Sequence, residues 1–124
     1  MRKRHLLIPV CLLPALAFAN CPALDYQELK EMPAATLTKE FCSYTAKAKK
    51  YTQEAGTEHQ FAADLRKANE LYFTMERSRD AGEAEDKGKK LEESAEQCKS
   101  QGERVLRILS GQKGVEASLD KLCV

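Results

Sequence analysis

The apolar residues of this chain recur every three or four positions along three long stretches. That spacing limits the fold more than any other feature of the sequence. The first stretch carries Leu37, Phe41, Tyr44, Ala48, Tyr51 and Ala55. The second carries Phe61, Leu65, Ala68, Tyr72 and Met75, and the third Leu91, Ala95, Cys98, Gly102, Val105 and Leu109. A 4-3-4-3 pattern lays one apolar stripe along a helix and leaves charge on the other face. Strand signals are missing beyond the first segment: there is no alternating β-branched run and no Asn-Gly hairpin turn. Ala, Glu, Lys, Leu and Gln, all good helix formers, dominate instead.

The pattern predicts an all-α fold: a small antiparallel helical bundle of three long helices with a short helix at each end. A short helix at about 24–32 leads to Pro33, which suits a helix start. Gly56 is expected to cap the first long helix, and Thr57 with Gln60 reads as a capping box opening the second. Gly82 and Gly88 are expected to mark the next turn. Gly111 and Gly114 bracket the last turn before a short closing helix at 115–123. An alternative topology fuses the second and third long helices through Gly82 into one rod. Tyr26, Leu71 and Phe73 fall off the main stripes and are expected to pack a further side of the bundle.

The first nineteen residues do not read as part of that bundle. Arg2, Lys3 and Arg4 precede an apolar run broken by Pro9 and Pro14, and Ala17-Phe18-Ala19 is a small-residue cleavage signature. The run is shorter than the ~20 residues a spanning helix needs. Residues 1–19 are therefore expected to be a cleaved secretory signal peptide, and 20–124 a single helical domain, periplasmic or secreted and soluble. A lipoprotein anchored at Cys21 is the lesser alternative, because Phe18, Ala19 and Asn20 do not form the usual motif before an acylated cysteine.

Removal of the leader takes one of the five cysteines, Cys11, and leaves Cys21, Cys42, Cys98 and Cys123. An even number of cysteines in an exported small domain reads as a disulfide framework. The stripes are rich in alanine and poor in aromatics, so the core gains from such staples. If each terminal helix folds back onto its neighbour in sequence, the pairs are Cys21–Cys42 and Cys98–Cys123. Helix rise brings each cysteine back near the level of its partner.

Chemistry-bearing motifs are scarce. His59 is the only histidine beyond the leader, and no Cys-x-x-Cys or glycine-rich phosphate loop occurs. The pairs Glu85–Lys89, Asp86–Lys90 and Glu103–Arg107, at i,i+4 spacing, are expected to support exposed helices. The sequence thus predicts no enzyme activity, no catalytic residue, no metal and no cofactor. The chain's 20 Lys and Arg face 19 Asp and Glu, and loss of three basic leader residues leaves about −2. That balance carries no footprint for nucleic acid. What remains is recognition of a protein partner in the cell envelope. A contact face is expected around Tyr44, Lys47 and Tyr51, where tyrosines sit beside a small basic cluster. The function expected is a non-enzymatic protein-binding module, with an inhibitor or immunity-type protein as its sharpest form. The alternative is a periplasmic chaperone or an accessory of a secretion or conjugation apparatus, motivated by a charged, glycine-interrupted segment at 76–104. Mass spectrometry of the exported form should find a chain starting at Asn20; a diacylglycerol adduct on Cys21 would overturn the export reading.

Overall fold

The computed structural model describes residues 21–112 and 122–123. The expected leader and nearly all of the expected closing helix lie outside the described residues. Three helices are present: α1 (Tyr26–Glu31), α2 (Ala34–Leu71) and α3 (Met75–Gly111). The class is all-α, and no strand occurs among the described residues. The long helices, 38 and 37 residues, pack side by side as one antiparallel hairpin roughly 55 Å long. α1 lies against α3 at the open end of the hairpin, here called the base.

The division into helices differs from the three long helices expected. α2 runs straight through Gly56, so the first two expected helices are one. The hairpin turn falls at residues 72–74, and neither Gly82 nor Gly88 breaks α3. Two local reasons are visible. The Thr57 hydroxyl donates back to the Gln53 carbonyl at 3.2 Å, so it bonds within the helix and does not cap a new one. The Gln60 amide donates forward to Asp64 at 2.9 Å. One exposed glycine costs a helix only about 1 kcal/mol relative to alanine, too little to end one with strong formers on both sides.

The hairpin is held by two unbroken heptad seams. On α2 the seam is Leu37, Phe41, Tyr44, Ala48, Tyr51, Ala55, Glu58, Ala62, Leu65 and Asn69. On α3 it is Ala81, Ala84, Gly88, Leu91, Ala95, Cys98, Gly102, Val105 and Leu109. Every one of these residues is buried or half-buried. A seven-residue repeat sustained this long is the arrangement of a two-stranded antiparallel coiled coil. The seam residues are unevenly sized. Near the base, Leu29, Leu37, Phe41, Tyr44, Val105, Ile108 and Leu109 form the main core with Cys21 and Cys98. Toward the turn the core is only Ala62, Ala81 and Ala84, with Leu65 against it. Small residues let the helices approach closely, and at Gly88 the His59 ring occupies the space that a Cβ would need.

This close approach corrects the second apolar stripe. Phe61, Tyr72 and Met75, expected inside, are exposed: Ala62 takes the inward position in place of Phe61, and Tyr72 and Met75 lie at the turn, where α2 ends and α3 begins. No room exists for a ring between α2 and α3 where alanine meets alanine.

All four cysteines are bonded, but the pairing expected from neighbouring helices is wrong. The bonds are Cys21–Cys98 and Cys42–Cys123. With Gly56 inside a helix, the chain reverses only at 72–74, and the segments bearing Cys42 and Cys98 both lie toward the base. The N-terminal segment crosses to α3 and the C-terminal one to α2. Each bond closes a loop with 77 or 81 residues of separation, worth about 4.5 kcal/mol taken singly by chain entropy. A sulfur held in a disulfide carries no glyceryl thioether, so the Cys21–Cys98 bond and lipid anchoring at Cys21 exclude one another.

A Cβ at Gly56 meets no atom within 4 Å, so Gly56→Ala should stabilise the protein by about 1 kcal/mol in denaturant titration. Gly88→Ala should gain less or lose, because its Cβ would lie 2.7 Å from His59. An equal gain at both sites would show that the close approach at Gly88 is not real.

Candidate functional site: the apolar hairpin turn

The largest exposed apolar side chains gather where α2 passes into α3. Leu71, Tyr72, Phe73 and Met75 are 60–88% exposed. Phe61, about 15 Å back along α2, is 51% exposed. Tyr72 and Phe73 alone present roughly 250 Å² to solvent. The largest apolar patch on an ordinary monomer is about 300–600 Å², and with Leu71 and Met75 the turn falls within that range.

The turn is tightly built. The Asn69 amide donates to the Thr74 carbonyl at 3.2 Å, and its oxygen accepts from the Thr74 N–H at 3.0 Å. Thr74 caps α3: its hydroxyl oxygen accepts from the Arg77 N–H at 3.2 Å. The Arg77 guanidinium donates to the Tyr72 carbonyl. The Tyr72 N–H reaches back to Ala68, closing α2. Three side chains thus fix the backbone of a three-residue connection, and the apolar groups project from it without touching the core.

Below the turn, charge takes over where alanine gives little adhesion. Arg66 grips Glu85 across the helices in a fork, 2.6 and 3.1 Å. That hydrogen bond holds the Glu85 carboxyl below the usual range and raises Arg66. Lys87 lies 3.3 Å from Glu58, and His59 Nε2 lies 3.4 Å from Glu92. These pairs are largely solvated and act mainly to set register.

The residues expected to form a contact face fare differently. Tyr44 is only 5% exposed and packs beside Gly102 in the base core, so it is withdrawn from any partner of the folded hairpin. Burial, then Glu40, pushes its hydroxyl pKa up, with Arg104 opposing. Tyr51 is half-buried against the same cluster, and its pKa is raised by burial and then by Glu54. Lys47 is exposed. Both tyrosines belong to the heptad seam, which is why they turn inward. Leu71 and Phe73, expected to pack a further side, are at the exposed turn instead. The sequence did hold part of the signal: the first stripe, continued at 4-3 spacing past Ala55, reaches Glu58, Ala62, Leu65 and Asn69 and leaves Phe61 outside; the next position is Tyr72, which is exposed because α2 ends at Leu71. Thr74 followed by Glu76 is also an N-terminal helix signature.

Among the described residues no group of three His, Cys, Asp or Glu side chains could hold a metal, and no helix is long and apolar enough to cross a membrane. No family model matches the chain, and no curated protein or solved structure matches it significantly.

Asn69 carries two of the bonds that close the turn. Asn69→Ala should cost about 1–2 kcal/mol and speed amide hydrogen exchange at 72–77 more than at the base. Unchanged exchange there would mean the turn is held by its backbone alone.

Proposed function

We propose that this protein is a non-enzymatic binding module that docks a protein partner through the apolar hairpin turn. The observation that carries this reading is the clasped turn presenting Leu71, Tyr72, Phe73 and Met75 on the end of a covalently fixed hairpin. Apolar anchors held in place before contact lose little freedom on binding, so more of their burial appears as affinity. A narrow convex tip of this kind fits a concave apolar site, such as the cleft an inhibitor or immunity-type protein would block. The envelope or the extracellular space is the compartment we assign, since two disulfides persist in an oxidising environment. The partner surface moves from Tyr44, Lys47 and Tyr51 to the turn.

A chaperone reading draws on the same patch, because an exposed apolar tip also suits holding unfolded chains. The charged, glycine-interrupted segment at 76–104 adds no support to it, since those residues are one continuous helix.

A photo-crosslinker at Phe73 identifies the partner, and titration with that purified partner tests the site. The variant Leu71→Ser/Phe73→Ser should fold as the parent does and bind at least 30-fold more weakly, about 2 kcal/mol. His59→Ala should bind as the parent does. Equal binding by the turn variant overturns the reading. So does a parent protein that captures only unfolded polypeptide, lipid vesicles or its own copies.

A further inference from the structure

A second site lies at the other end of the molecule. A cleft of about 320 Å³ between α1 and the end of α3 is lined by Tyr26, Arg104, Arg107, Ile108 and Gln112. Arg104 and Arg107 stand three residues apart, on one side of α3. Neither has a carboxylate within 4 Å among the described residues. Arg104 spends one N–H on the Gln101 side chain at 2.7 Å, and its other donors make no such bond among the described residues. Gln112 donates its amide to the Tyr26 hydroxyl at 2.6 Å. That bond fills an acceptor position on the phenol and leaves its O–H proton to donate elsewhere. Among the described lining residues the side-chain donors therefore outnumber the acceptors, and the two charged side chains have the same sign.

Two guanidinium-bearing side chains lining one cleft, with no ion-paired carboxylate among the described residues, make an arrangement unfavourable by itself. Leu29 and the Cys21–Cys98 bond nonetheless hold α1 against this part of α3. The half-charge at the helix C-terminus is negative, but it is outweighed by two full positive charges. We infer that this cleft binds a compact dianion, a dicarboxylate or a phosphate, through the forked donors of Arg104 and Arg107 and the Tyr26 hydroxyl. Guanidinium matches either oxyanion with paired N–H donors, and ammonium does not. The site is independent of the apolar turn, and either can stand without the other.

The test is a titration of the full oxidised protein with inorganic phosphate and, separately, with succinate, at constant ionic strength, followed by amide and side-chain NMR shifts. At least one probe should saturate, with the largest shifts at Tyr26 and at 104–112; which one saturates identifies phosphate or carboxylate as the source. Arg104→Ala and Arg107→Ala should each weaken that binding tenfold or more. Arg107→Lys, which keeps the charge and loses the fork, should weaken it several-fold, and Lys47→Ala should leave it unchanged. Circular dichroism of each variant separates lost binding from lost folding. Shifts that never saturate, or that persist equally in a folded Arg104→Ala/Arg107→Ala protein, overturn the site.

Discussion

The meeting of two heptad seams along α2 and α3 is the constraint on which the rest of the structure depends. Because the seams are continuous, the helices stay paired over their whole length. Because they are antiparallel, every feature of the molecule is assigned to one of two ends. Residue size then grades the hairpin. Leucine, phenylalanine, tyrosine and isoleucine thicken the base, where α1 adds Leu29. Alanine and glycine narrow the other end, where Ala62 meets Ala81 and Ala84, and His59 lies over Gly88.

That thin core gives the disulfides a large share of the work. A small domain with an alanine-lined interface buries little apolar area, and its margin of stability is small. The bonds Cys21–Cys98 and Cys42–Cys123 tie the N-terminal segment to one long helix and the C-terminal one to the other. Both staples act at the base. The turn end relies on cross-helix ion pairs such as Arg66–Glu85 and on the Asn69–Thr74 clasp.

The division of labour bears on function. Bulky apolar residues that a folding core would ordinarily use, Phe61, Tyr72, Phe73 and Met75, are left outside the seam at the thin end. A stapled base with a slender apolar tip is a shape suited to contact at a distance from the core. Substitutions at such a tip can change what is bound without disturbing what is folded. The arginine-lined cleft at the base rests on different physics, charge and hydrogen bonding, and is positioned by the staple between α1 and α3.

Helical class, the Pro33 boundary and the inward stripes from Leu37 to Ala55 and from Leu91 to Leu109 were legible in the sequence, because each follows from local spacing and local propensity. The engagement of all four cysteines in disulfides was legible from their number. Their pairing was not, since it depends on where the chain reverses. That point was set by a competition that spacing alone does not settle: a single exposed glycine at 56 against the cooperative continuation of a long helix. The identity of the exposed site followed from the same decision. Read as its own helix, the stretch from Phe61 to Met75 shows a plausible inward stripe. Read as the continuation of α2, it must keep the register of Ala55, so Ala62 and Asn69 replace Phe61 and Ala68 in the stripe while Leu65 stays inward. Tertiary structure decided between them because only one register lets α2 and α3 approach closely enough for alanine to pack against alanine; that register puts the Phe61 ring in solvent, and the chain reversal at 72–74 leaves Tyr72 and Phe73 outside both helices.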